Sequence, residues 1–208
     1  MCNYQVCRPE ASGENTGQRE MNEQKLIRKV AEGDQEAFRE LIQANRNLVI
    51  NVCYSLLNNR EQAEEAAQDV FLQIFKKAGE FKERSKLSTW IYRIAVNQAI
   101  NARRRDRRFK KKEFIRQESP DDLISLKAPR ADWPDSQLEA GEIRTAVQNA
   151  LDSLPEKQRT VIVLHKMEGL TSKEIAQILN ISLSSAEARI HRAKISLKKK
   201  LSRLLSGL

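Results

Sequence analysis

Between Ala63 and Ala78, eight apolar residues (Ala63, Ala66, Ala67, Val70, Phe71, Ile74, Phe75 and Ala78) recur at steps of three, one, three, one, three, one and three. Only an α-helix gathers all eight onto one stripe, because the side chains of a strand alternate with a period of two. A stripe this wide must be buried against other helices. The opposite face carries Glu61, Glu64, Glu65 and Asp69 near the start and Lys76 and Lys77 near the end. That order suits the helix dipole, and taken alone the face reads as solvated surface.

The same period runs through most of the chain. Leu26, Ile27 and Val30 form a short stripe, after which Asp34 can cap a helix carrying Ala37, Phe38, Leu41 and Ile42 and continuing through Leu48, Val49, Val52, Cys53, Leu56 and Leu57. The stretch "NNREQ" breaks it. After Gly79 and the loop "EFKERSKLS", Ser88 or Thr89 opens a helix through Trp90, Ile91, Ile94, Ala95, Ala99 and Ile100. Nearer the C-terminus, Ile143, Val147, Ala150 and Leu151 lie on one helix, and Pro155 suits the first turn of the next, filled by Val161, Ile162 and Leu164. "TSKE" at 171–174 is a capping box, Asn180 suits a sharp left-handed turn, and Ser182 can cap a last helix with Ala186, Ile190, Ala193, Leu197 and Leu201. With seven Gly and five Pro in 208 residues, the expected fold is all-α. Cores built from so few aromatics suit two small helical bundles.

Residues 1–21 are polar and aperiodic and read as a disordered tail, with order beginning near Asn22. The first domain spans 22–115. Over about 117–142 the composition shifts to seven acids, two bases and three prolines, so 116–138 is expected to be a flexible acidic linker and 139–208 the second domain. The linker is either a simple spacer or a segment that lies along a basic surface when no polyanion is bound. Cys2, Cys7 and Cys53 are odd in number and form no CxxC pair, which argues against a disulfide framework or a zinc site. Cys53 falls on an apolar stripe as a small hydrophobe, and a redox pair of Cys2 and Cys7 is the weaker alternative to a plain tail.

A formal charge of +9 and a pI near 9.6 call for a polyanionic partner, either nucleic acid or an anionic membrane surface. Neither a membrane span nor a signal peptide is expected, which places the protein in the cytoplasm. Two histidines and no phosphate loop, nucleophile elbow or ligand cluster argue against an enzyme; no catalytic residue, cofactor or metal is expected, and His165 reads as a packing or surface residue. Two basic helices stand out instead. Residues 103–112 hold eight bases and one acid, downstream of Trp90 and Tyr92, aromatics able to stack on unpaired bases. Arg189, Arg192, Lys194, Lys198, Lys199, Lys200 and Arg203 follow a capped helix and a tight turn, the pattern of a helix-turn-helix.

"DQEAFRELIQ", "AEEAAQDVFLQIFKKAGEF" and "LSTWIYRIAVNQAINARRRDRR" resemble domain two of the bacterial sigma-70 family, and "LPEKQRTVIVLHKMEGLTSKEIAQILNISLSSAEARIHRAKISLKKKL" resembles its domain four. The likeness covers the chain from about residue 22, with the order and spacing of the compact extracytoplasmic-function type. It implies an RNA polymerase sigma factor that binds the core enzyme, reads the −10 and −35 promoter elements and directs initiation. Glu64, Glu65, Asp69, Phe71 and Phe75 would meet core polymerase, a partner made of β and β′ subunits. Trp90, Asn97, Asn101, Arg103, Arg104 and Arg105 would meet the −10 element, with a base flipped into the loop from Phe81 to Ser88. Ser184, Ser185, Glu187, Ala188, Arg189, His191 and Arg192 would meet the −35 element, and an anti-sigma factor is a further expected partner. Where the family often has glycine and a small hydroxyl residue before a valine, this chain has Ser184, Ser185 and Ala186, and Glu187 stands where a base is frequent. Glu187 either accepts from a cytosine amino group in the major groove or faces solvent near the helix's positive end. The rivals are a self-sufficient helix-turn-helix regulator and, more distantly, a membrane-surface protein, whose bulky apolar anchoring face the basic runs lack.

Overall fold

A computed structural model describes residues 16–83, 85–116 and 145–205, and all regular structure among them is helical. In chain order the helices are α1 (Thr16–Ala31), α2 (Gln35–Leu57), α3 (Arg60–Lys77), α4 (Leu87–Arg116), α5 (145–152), α6 (Glu156–Lys166), α7 (Ser172–Leu179) and α8 (Leu183–Leu205), with a 3-10 turn at Ala78–Glu80 after α3. The expected tail to residue 21 is corrected here: α1 begins at Thr16, six residues before Asn22. Helix α4 also begins earlier than Ser88 or Thr89 would require, because the Trp90 amide already bonds the Lys86 carbonyl. Cys2 and Cys7, the linker at 117–142 and Ile143 lie outside the described residues.

Local chemistry fixes most helix ends. Asp34 accepts from the amides of Glu36 and Ala37, a cap worth about 1 kcal/mol. Helix α2 then runs unbroken to Leu57 and stops at Asn58, whose φ of +53° reverses the chain into α3. At 169 a φ of +65° leads from α6 towards α7, a conformation glycine adopts without penalty. The Thr171–Glu174 capping box forms as expected, and Asn180 turns the chain at φ +52°.

Helix α2 packs against α1, α3 and α4, so Leu41, Val49, Val52 and Leu56 are sealed from solvent. Burying each such side chain contributes about 1.5–3 kcal/mol. Cys53 is part of this core, as its place on the stripe implied, and burial followed by the nearby Glu168 charge pushes its thiol up to about 12. In the C-terminal bundle α8 lies against α6 and α7, burying Ala186, Ile190 and Ala193. The two bundles are not held apart: α4 packs on α7 and α2 on α6, and one continuous apolar core runs through both.

Candidate nucleic-acid interface

Helix α3 turns its apolar stripe inward, burying Ala63, Ala66, Ala67, Val70 and Ile74. Phe71 and Phe75 sit at the margin: Phe71 is half-buried, whereas Phe75 is exposed, packs its ring 5.0 Å from that of Phe38, and lies near exposed Leu72. Glu64 and Glu65 are exposed beside them, Glu64 bonding Arg60, and half-buried Asp69 lies 3.5 Å from Arg105. The outward face of α3 is thus a mixed surface of apolar and acidic groups.

Helix α4 buries Ile91, Ala95, Val96 and Ala99 against this bundle and leaves Asn97 and Asn101 facing out. An open groove between α3 and α4 brings Asn97, Asn101 and Arg104 together with Gln73 and Lys77. Gln73 and Lys77 were not singled out from the sequence, where Lys77 read only as a dipole partner. Trp90 is half-buried and packs 5.4 Å from Phe81, so one end of the 81–86 loop rests on it. The loop is further tied to α1: Arg28 Nε and Nη2 donate to Glu83 Oε1 at 3.0 and 2.7 Å, and Lys86 lies 3.3 Å from Glu20. Glu83 holds φ +56°, an uncommon conformation for a residue with a side chain.

In the C-terminal bundle, Ser182 accepts from the Ser185 amide and starts α8, as expected. Burying Ala186, Ile190 and Ala193 turns the opposite face to solvent, where Ser184, Glu187, Ala188, His191 and Arg192 stand exposed while Ser185 and Arg189 are half-buried. Positions 184, 187, 188 and 191 share one stripe by their spacing of three and four. The other histidine, His165, is engaged through Nδ1 with the Leu170 carbonyl at 3.0 Å. Among the described residues no three His, Cys, Asp or Glu side chains gather where a metal ion could sit.

The family described as Sigma-70 region 2 matches residues 41–109, which span α3, the 81–86 loop and most of α4, and the family described as Sigma-70, region 4 matches 144–197, with the helix-turn-helix. The chain is 34% identical over 186 residues to the ECF RNA polymerase sigma factor SigW of Bacillus subtilis, covering 88% of this chain and 98% of that one. The chain belongs to the sigma-70 family, as a sigma factor of the extracytoplasmic-function type. Its fold is also that of CnrH in complex with the cytosolic domain of CnrY (TM-score 0.59, 22% identity, covering 86% and 97% of the two chains). It is shared as well by the sigma factor RpoE in complex with the anti-sigma factor NepR from Bartonella quintana (TM-score 0.53, 21% identity, covering 79% and 96%). No helix among the described residues is long and apolar enough to cross a membrane.

In this sigma factor Arg103 and Arg104 of α4 are engaged by acids. Arg103 Nη2 donates to Asp152 Oδ1 at 2.7 Å, and Arg104 donates through Nε and Nη2 to both carboxylate oxygens of Glu156 at 3.0 and 2.6 Å. The Arg104 hydrogen bond, aided by the charges of Arg104, Arg107 and Arg103, outweighs partial burial and holds Glu156 below the usual carboxylate range. Asp152 is also held low: burial works against its charge, but bonds from Arg103 and Gln148 and the charges of Arg103 and Arg159 prevail. Arg93 donates to the carbonyls of Gln177 and Ile178, a cation at the negative end of α7. The acids paired with Arg103 and Arg104 thus come from α5 and α6, and the one beside Arg105 comes from α3.

Proposed function

We propose that this sigma factor binds core RNA polymerase through α3 and places α4 and α8 on the −10 and −35 elements to direct initiation, without catalysis of its own. Glu64, Glu65, Asp69, Phe71 and Phe75 form the polymerase contact, since they combine exposed charge with apolar surface at the rim of a rigid helix. Trp90, Asn97 and Asn101 meet the −10 bases beside the 81–86 loop, whose ties to α1 would steady a flipped base, while Arg103, Arg104 and Arg105 neutralise phosphates. Ser184, Ser185, Glu187, Ala188, Arg189, His191 and Arg192 read the −35 element from the start of α8, the end that helix-turn-helix proteins direct into the major groove. The functional domains correspond to 22–115 and 139–208, and the protein works in the bacterial cytoplasm, where an anti-sigma factor is a natural partner by analogy with the complex of RpoE and NepR.

The observation that carries this reading is that most of each basic helix, with Arg103, Arg104 and Arg105 on one and Arg189 and Arg192 on the other, falls within a matched sigma region. The test is transcription from a promoter template by sigma-free core polymerase with the purified chain added. Promoter-dependent transcripts are expected, and their absence, with binding of duplex DNA alone, would favour a self-sufficient regulator. Reversing Glu64, Glu65 and Asp69 to lysine should abolish the polymerase complex while helical content is retained. Undiminished affinity in that triple variant would remove α3 from the interface.

A further inference from the structure

Resting on the sigma-factor reading, we infer that Arg28 of α1 is a positioning residue for the −10 element: it holds Glu83 in a left-handed turn and so presets the 81–86 loop for the unpaired base that the loop receives. Helix α1 ends at Ala31, before the segment matched as Sigma-70 region 2 begins at residue 41. Base preference at the loop is thus set in part by a helix outside that segment.

The two ends of the loop are fixed by their own neighbours. The Phe81 amide bonds the Ala78 carbonyl at 3.2 Å and its ring packs on Trp90, while the Lys86 carbonyl accepts the Trp90 amide at 3.2 Å and so belongs to the start of α4. Between these ends Glu83 stands at φ +56°, a region that a residue with a Cβ occupies only when its surroundings hold it there. Arg28 supplies such a hold. Its Nε and Nη2 both donate to Glu83 Oε1, at 3.0 and 2.7 Å, from 55 positions away in the sequence.

The hold has a firm base. Ile27 and Val30, on either side of Arg28, are 2% and 1% exposed, and α1 is closed just beyond them by the Gly33 amide on the Val30 carbonyl and the Asp34 amide on the Lys29 carbonyl. About two turns earlier on α1, Glu20 lies 3.3 Å from Lys86. Helix α1 therefore grips the middle of the loop with a cation and its α4 end with an acid. The strength of the grip bounds its effect. The Arg28 side chain is 67% exposed and that of Glu83 30%, and a pair this open can bias the loop's equilibrium by up to about fivefold.

The test is a double-mutant cycle read in the complete complex of core polymerase, full chain and promoter DNA, with each of the four bases placed in turn at every −10 position. The readout is the preference for the best base over the other three where wild type discriminates most, a ratio that a uniform loss of activity does not move. Arg28→Ala should lower that preference about threefold, Glu83→Ala should lower it equally, and the double variant should lose no more than either, because the two side chains act as one contact. Arg39→Ala removes a comparably exposed cation, paired with Glu36, and should leave the preference unchanged. Losses that multiply in the double variant would mean that Arg28 and Glu83 meet DNA independently, and would overturn the proposal. An equal loss in Arg39→Ala would reduce the effect to net charge and overturn it too. If wild type directs no promoter-dependent transcription, the sigma-factor reading fails and this inference with it. Transcription without base preference, or with a preference that Arg28→Ala keeps, defeats the positioning role alone.

Discussion

Helices α4 and α8 carry similar runs of basic side chains, yet they stand in different surroundings. The exposed start of α8 offers Ser184, Glu187, Ala188, His191 and Arg192 along one face, with Ala186, Ile190 and Ala193 buried behind it. On α4, by contrast, Arg103 and Arg104 are bonded to acids of the other bundle and Arg105 lies beside Asp69. Basic runs in sequence mark both helices as partners of a polyanion, but only the fold shows which run is already matched by carboxylates. The basic start of α8 is presented to solvent, and three arginines of α4 are paired with acids.

The inner faces supply the largest expected effect. Ile91 is fully buried where α4 meets its bundle, whereas Ile195 of α8 is 56% exposed. Ile91→Ala should cost about 2–5 kcal/mol in denaturant unfolding. Ile195→Ala should stay within about 0.5 kcal/mol. Similar losses at both positions would mean that α8 is packed more tightly than its exposure implies.

These inner faces were legible in the sequence because helix burial repeats every three or four residues. So were the ends at Asp34, Thr171 and Asn180, where a cap and its partner lie within a few positions of each other. Two helix starts were not: Thr16 lies in a stretch without apolar period, and α4 starts through the Lys86 backbone, which carries no side-chain signal. The boundary between the bundles was also hidden. Ser55 and Glu168 are 113 positions apart and Arg103 and Asp152 are 49 apart, separations at which no periodicity pairs one residue with another. Site residues could be placed on helices from sequence, while their partners could not.

The next effect concerns α8 alone. A direct contact of Glu187 with a cytosine amino group should be worth about 1–3 kcal/mol at one base pair. Comparing Glu187→Gln and Glu187→Ala across a −35 library should relax preference at a single cytosine. A uniform change at all sites would leave only the interaction with the helix dipole.

A smaller, salt-dependent effect is expected on α4. Alanine at Arg103, Arg104 and Arg105 should impair promoter opening and be partly rescued at lower salt, because phosphate neutralisation releases counterions. A defect equally severe at every salt concentration would give these arginines a role beyond phosphate contact.

The smallest effect is in pH. Asp152 and Glu156 are held below the usual carboxylate range, so their contribution is complete above their ordinary values and is lost as pH falls through the lowered ones, below about pH 4. Glu168, pushed up, acts oppositely: its share is present at low pH and fades as pH rises through its raised value. The Arg104–Glu156 pair is screened by solvent, so its share of stability is small. Titration of wild type against Asp152→Asn with Glu156→Gln should show a difference in stability that vanishes in acid, and a constant difference would deny these carboxylates their charge.

The most direct measurement is the distance between the bundles in the free chain and in the polymerase–promoter complex. Fluorescent labels at Lys76→Cys on α3 and Lys173→Cys on α7, with Cys2 and Cys7 changed to serine, would report it by energy transfer. High transfer is expected in the free chain. A collapse of transfer is expected when core polymerase and promoter DNA set α4 and α8 on elements separated by tens of ångströms, at 3.4 Å per base pair. High transfer retained in a transcribing complex would contradict the placement of these two helices on separate promoter elements.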